Sequence, residues 1–127
     1  MAPRFSIVTP VYDPPLWALE ECIRSVLAQS YADWEWCIAD DCSPNAKVRK
    51  RLRKLAASDH RVKVEYRGQN GGIVAASNSA LSLATGEFVA LLDHDDSLTP
   101  DALKVMADHI GIDQDVDYLL SLIHISE

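Results

Sequence analysis

Three carboxylates crowd one short segment, Asp93, Asp95 and Asp96, directly after the apolar run Phe88 to Leu92. Like charges this close repel one another, so a folded chain keeps them together only for a compensating gain. A hard divalent cation supplies one, since Mg2+ or Mn2+ takes oxygen ligands and commonly bridges carboxylates to substrate phosphates. The plainer reading is a solvated acidic turn opened by Asp96 or Ser97. Position favours the metal. An unbroken apolar run suits a strand buried on both faces of a parallel sheet, and ligands of open α/β sheets sit beyond the carboxyl ends of such strands.

Two further segments have the same form. Phe5 to Thr9 is a buried-strand candidate stopped by Pro10, and Thr9-Pro10-Val11-Tyr12-Asp13 offers a hydroxyl and an aromatic ring beyond it. Tyr12 can stack on a base, a contact worth about 1–3 kcal/mol; otherwise it is an ordinary loop tyrosine. Trp34 to Ala39 is a second strand ending at Asp40-Asp41, a pair able to accept from a base imide or ribose hydroxyl, or simply to shape a turn before Ser43-Pro44-Asn45. Asn70-Gly71-Gly72 adds a backbone that a ligand can approach, ahead of a helix N-terminus that attracts anions. No GxGxxG fingerprint follows the first strand, so the site reads as nucleotide-binding without that phosphate loop.

The elements that must position these residues alternate. Helices are predicted from about Leu16 to Ser30, after Asn45 with Val48, Leu52 and Leu55 inward, from about Ile73 to Ala84, and from Thr99-Pro100 to about Ile110. Strands are predicted at Phe5 to Thr9, Trp34 to Ala39, Val62 to Tyr66 and Phe88 to Leu92. That order is the pattern of a doubly wound α/β domain with a mainly parallel sheet and right-handed crossovers. It brings the three strand-end loops to one edge.

Composition narrows the function classes. A chain of 127 residues with 48 % hydrophobic content fits one globular domain, and a net charge of −7 argues against a general nucleic-acid binder. Cys22, Cys37 and Cys42 lack metal spacing and read as reduced thiols of a cytosolic protein. The basic run Lys47, Arg49, Lys50, Arg51, Arg53, Lys54 reads as a solvated helix face, with membrane-surface contact as the secondary reading. His60 and His109 are expected at the surface, and His94 sits within the acidic loop without a partner spaced for zinc.

In this order FSIVTPVY, WEWCIADDCSPN and NGGIVAASNSALSLATGEFVALLDHDD resemble the N-terminal half of a family 2 glycosyltransferase, the inverting GT-A type, close to bacterial O-antigen and rhamnosyltransferase-like enzymes. The resemblance runs from about Arg4 to Tyr118. It implies a Rossmann-like GT-A sheet truncated at its C-terminus, and a UDP- or dTDP-sugar donor for a polysaccharide or lipid-linked acceptor. It also implies a cytoplasmic location, at the inner face of the membrane where the acceptor is lipid-linked. Residue by residue, it implies that Thr9, Pro10 and Tyr12 line the nucleoside pocket, with Asp40 at the base edge and Asp41 among the nucleotide-sugar-binding residues. Asn70 and Gly71 would border the sugar phosphate. Asp93-His94-Asp95 matches the DxD motif, with Asp95 the principal ligand of Mg2+ or Mn2+ and Asp93 near metal and ribose. The family's general base belongs to the C-terminal half, so these residues are expected to bind donor with little transfer.

Leu120 to Glu127 (LSLIHISE) are what CTG TCT CTT ATA CAC ATC TCC GAG would encode, which matches a transposon adapter used in sequencing libraries. The expectation is therefore a domain over 1–118 and a non-native tail over 119–127, with an amphipathic terminal strand as the other reading. Two other functions are alternatives. A non-catalytic nucleotide-sugar-binding module shares every residue named above. A receiver-like phosphoacceptor domain also gathers aspartates at a sheet edge, but here the Asp pair follows the second strand and no lysine ends a later one.

Overall fold

The computed structural model describes residues 3–112 and 122–124. Its strands are β1 (Phe5–Val11), β2 (Trp34–Asp40), β3 (Val62–Tyr66), β4 (Phe88–Leu91) and β5 (Leu122–His124). Between them run α1 (Leu16–Leu27), α2 (Ala46–Ser58), α3 (Ile73–Ser82) and α4 (Ala102–Ile112). The sheet order is β3-β2-β1-β4-β5, and every pairing is parallel. The chain reverses direction of travel across the sheet between β1 and β4, and a crevice opens at such a switch point.

Side-chain alternation decides which helix covers which face. Phe5 and Ile7 of β1 point with Trp34, Trp36 and Ile38 of β2 toward α1, α2 and α4, where Leu19, Ile23, Leu52, Leu55 and Leu103 complete the main core. Val8, Cys37 and Ala39 point the other way, against Ala76 and Ala80 of α3. Small residues on both sides let α3 lie close to the sheet. The two tryptophans are 2 % and 1 % exposed, so truncating either to alanine would cost about 3–5 kcal/mol.

The expected elements are present, with shifted ends. Pro10 does not stop β1: the strand continues to Val11, with Pro10 beside Ala39 and Val11 beside Asp40. The reason is the direction of its missing donor. Val8 presents its carbonyl to Leu92, on the β4 side, while Val11 presents its carbonyl to Asp41 on the β2 side. Pro10 therefore turns its nitrogen toward the β4 side, where pairing ends at Val8–Leu91, and no ladder bond is lost. The first helix ends at Leu27 and not Ser30, the third at Ser82 and not Ala84, and the last begins at Ala102, two residues after Pro100.

Of the segment 119–127 set apart above, Leu122–His124 is described; it lies beside β4, Val89 opposite Leu122. The remainder of that segment lies outside the described residues. Cys22, Cys37 and Cys42 are all free thiols, as expected. His60 and His109 are exposed. Among the described residues no helix is long and apolar enough to cross a membrane.

Candidate functional site

The carboxyl ends of β2, β1 and β4 lie side by side, and their loops enclose a cavity of about 420 Å3. Pro10, Val11 and Tyr12 come from the first loop, Asp41 from the second, and Asp93, His94 and Asp95 from the third. Asn70, Gly72, Ile73 and Ala76 close it from the start of α3. One hydrogen bond joins the loops after β1 and β4 directly: the Tyr12 backbone N–H donates to His94 Nδ1 at 3.3 Å. The Tyr12 ring, 47 % exposed, stands at the rim and is free to cover a planar ligand.

The two adjacent aspartates part company here. Asp40 is fully buried, and its carboxylate accepts from the Ser43 hydroxyl, from the Ser43 N–H and from Arg49 Nε at 2.7 Å. It shapes the turn and holds α2 to the sheet. Asp41 lines the cavity although only 2 % exposed. Its Oδ1 accepts from Gly71 N–H and Arg67 Nε, both at 2.9 Å, and its Oδ2 accepts from Gly72 N–H at 2.9 Å. Burial alone would raise the Asp41 carboxyl, but the two backbone donors and the Arg67 guanidinium outweigh it and hold it below the usual carboxylate range. Asp41 therefore stays ionised at the foot of the cavity.

That arrangement also explains the glycines. Gly72 caps α3 with φ 90° and ψ 173°, a backbone region open essentially to glycine. A Cβ on Gly71 would stand 2.6 Å from Arg67 Nη2 and 2.9 Å from Ala75 Cβ. Arg67 is the strut behind them. It donates to Asp41, to the Ser79 hydroxyl and to the Ala75 carbonyl, and its own N–H is bound by the Asp40 carbonyl. Sequence reasoning passed over Arg67. The signal was there, since it is the residue directly after β3, just as Asp41 follows β2.

Thr9 is placed elsewhere. It is buried on the same face as Trp36, toward α1, α2 and α4, where its hydroxyl accepts the Trp36 indole N–H at 2.8 Å, and it does not line the cavity. Pro10, Tyr12, Asp41, Asn70, Asp93 and Asp95 do come together, and Gly71 borders them through its bond to Asp41.

The acidic loop is compact. Asp93, Asp95 and Asp96 each bring a carboxylate oxygen within 4.8 Å of the others, and Asp96 N–H donates to the Asp93 carbonyl at 3.1 Å. An all-oxygen, multiply charged donor set of this kind fits a hard divalent cation. Its field reaches into the core below. Cys22, whose thiol points at the Asp93 carbonyl at 3.7 Å, is pushed up to about 12 by burial and then by Asp96, Asp95 and Asp93.

Known proteins show the same architecture. The chain is 51 % identical over 113 residues to the uncharacterized protein y4gI of Sinorhizobium fredii, covering 89 % of this chain and 12 % of that one. It is 38 % identical over 105 residues to the O-antigen biosynthesis protein RfbC of Myxococcus xanthus, covering 83 % and 8 %. With the putative teichuronic acid biosynthesis glycosyltransferase TuaG of Bacillus subtilis it shares 39 % over 102 residues, covering 80 % and 40 %. This chain thus spans well under half the length of each. Among solved structures, S. aureus TarS 1-349 in complex with UDP superposes with a TM-score of 0.77 at 28 % identity, over 86 % of this chain and 32 % of that one. The likeness bears out the expected GT-A, Rossmann-like sheet. Residues 6–127 match the description Glycosyl transferase family 2, and this chain belongs to that family.

Proposed function

We propose that the cavity binds the nucleoside diphosphate of a nucleotide-sugar, UDP- or dTDP-linked, and that the full-length enzyme transfers the sugar with inversion to a saccharide or lipid-linked acceptor. The observation that carries this is the meeting, around one cavity at the switch point, of an exposed aromatic ring, a buried aspartate held by two backbone N–H groups and Arg67, and an acidic cluster whose Asp93 and Asp95 line the cavity. Each part has a job in such a ligand. Tyr12 stacks on the base, and the free lone pair of Asp41 Oδ2 accepts from the base edge or ribose. Asn70 and the glycine backbone border the sugar phosphate, while Asp93 and Asp95 turn their oxygens to the diphosphate side. Asp40 and Thr9 act as positioning residues behind them, through Ser43 and Arg49 and through Trp36.

When bound at Asp95 and Asp93, Mg2+ or Mn2+ supplies Lewis-acid stabilisation of the leaving diphosphate. A diphosphate facing three carboxylates without such neutralisation would be repelled. TarS has been solved with UDP and with UDP-GlcNAc, which supports a uridine donor, and RfbC and TuaG support a surface-polysaccharide acceptor. On this reading the reaction runs in the cytoplasm, at the inner membrane face where the acceptor is lipid-linked. The general base is assigned outside these residues, so the chain alone binds donor and transfers little.

Titration calorimetry with UDP and dTDP, with and without Mn2+, tests the reading. Binding that requires the cation and is lost in Asp95→Ala is expected. Cation-independent binding, or equal affinity in Asp95→Ala, would remove the metal role. Steady sugar transfer by these 127 residues would overturn the assignment of the base elsewhere.

A further inference from the structure

Half of the basic residues of this acidic chain lie on α2, six of 12, and α2 carries no acidic residue. Three of the six are engaged: Arg49 with Asp40, Arg51 with Glu20, and Arg53 over the Tyr66 ring at 5.3 Å. Lys47, Lys50 and Lys54 have no ion-pair contact among the described residues and are exposed, on the side of α2 opposite Val48, Leu52 and Leu55. They line, with Leu16, Glu20 and Arg51, a shallow cleft of about 370 Å3 between α2 and α1. On α1 the inward residues are Ala18, Leu19, Cys22, Ile23 and Val26, so Trp17 projects straight outward and is 69 % exposed. Trp34 and Trp36 are buried.

We propose that this outer face of α1 and α2 docks on an anionic lipid bilayer, with the three lysines over the headgroups and Trp17 in the interface. Lysines near an anionic surface add attraction one by one, and tryptophan favours the headgroup level, where its ring is half apolar and half wet. Leu16, 36 % exposed beside Trp17, extends the apolar contact. The acidic groups on the face do not cancel it: Glu20 is held by Arg51, and Glu21 sits one turn from Arg24. A nucleic-acid surface is the poorer fit, because the chain's net charge is −7 and the arginines here, whose forks read base edges, are already engaged. Both helices start at the sheet edge that carries the cavity, so a docked face would hold the site beside the membrane surface. The docking itself does not depend on what the cavity binds.

The test is co-sedimentation of the 127-residue chain with phosphatidylcholine vesicles, with and without phosphatidylglycerol, while tryptophan emission is recorded. Binding to the anionic vesicles at least about tenfold tighter than to the neutral ones is expected, reversed by high salt and accompanied by a blue shift. Lys50→Glu with Lys54→Glu should abolish binding, and Trp17→Ala should weaken it and remove the shift, since Trp34 and Trp36 already sit in the core. Unchanged melting curves and unchanged UDP titrations in these variants separate lost docking from lost folding or a failed nucleotide site. Equal binding to both vesicles, binding to neither, no emission change, or tighter binding to an RNA oligonucleotide would each overturn the proposal.

Discussion

The Asp41 carboxylate accepts the backbone N–H of Gly72 at 2.9 Å, across a sequence separation of 31. A side chain at the end of β2 thereby caps the helix that follows β3, and the N–H groups expected to greet a phosphate are in part already bound to a protein anion. The cavity floor is set by that contact and by its twin at Gly71.

Asp41→Asn removes the charge and turns one acceptor into a donor facing donors. UDP affinity should fall about tenfold, with a stability loss of about 1–3 kcal/mol. Asp40→Asn should cost similar stability through Ser43 and Arg49 but change UDP affinity less, because its carboxylate does not reach the cavity. Calorimetry paired with urea melts measures both. A larger binding loss in Asp40→Asn would reverse the two roles.

Gly72→Ala forces a side chain into its positive-φ cap and should destabilise the fold by about 2 kcal/mol. Gly71→Ala acts differently, pushing on Arg67 and Ala75, and should weaken nucleotide binding more than it lowers the melting temperature. Thermal melts beside UDP titrations distinguish strain in one position from displacement in the other.

At the opposite end of the strands, Glu35 is buried under Lys63, Ser6 and Thr85. Burial raises its carboxyl, but the hydrogen bonds from those three outweigh it and bring it to about 2, against an ordinary 4.5. The folded value lies below the unfolded one, so the stabilisation is complete above about pH 4.5 and drains as the pH falls toward about 2. Glu35→Gln should cost about 2 kcal/mol at neutral pH and flatten the acid limb of stability against pH. Urea melts between pH 7 and pH 2 check it; an identical slope in the variant would reject the pairing.

Removing residues 119–127 uncovers the outer edge of β4 and should lower the melting temperature. It should leave UDP and Mn2+ binding within about twofold, since every cavity residue lies on β1, α3 or the loops after β1, β2, β3 and β4. Loss of nucleotide binding on trimming would make the segment part of the working domain.

Local pattern carried much of this molecule. Periodicity marked the described elements up to α4, apolar continuity marked β4 although Val89 and Leu91 are only half-buried on the α3 side, and the acidic triad announced itself by charge alone. What local pattern missed were the terms that depend on direction. Pro10 reads as a breaker, yet its nitrogen faces a side of β1 where β4 has already ended. Thr9 and Asp40 read as site residues, yet alternation turns one to Trp36 and burial commits the other to Arg49.

By itself, then, the sequence determined the parallel α/β frame, the edge that gathers three loops and the acidic cluster there, because these follow from apolar periodicity and charge. Only the tertiary structure decided that Asp41 and not Asp40 meets the cavity, that Arg67 braces it and that Leu16, next to the exposed Trp17, lines one cleft with three lysines. Those facts rest on contacts between residues far apart in the chain, and they exist only once the strands are in register.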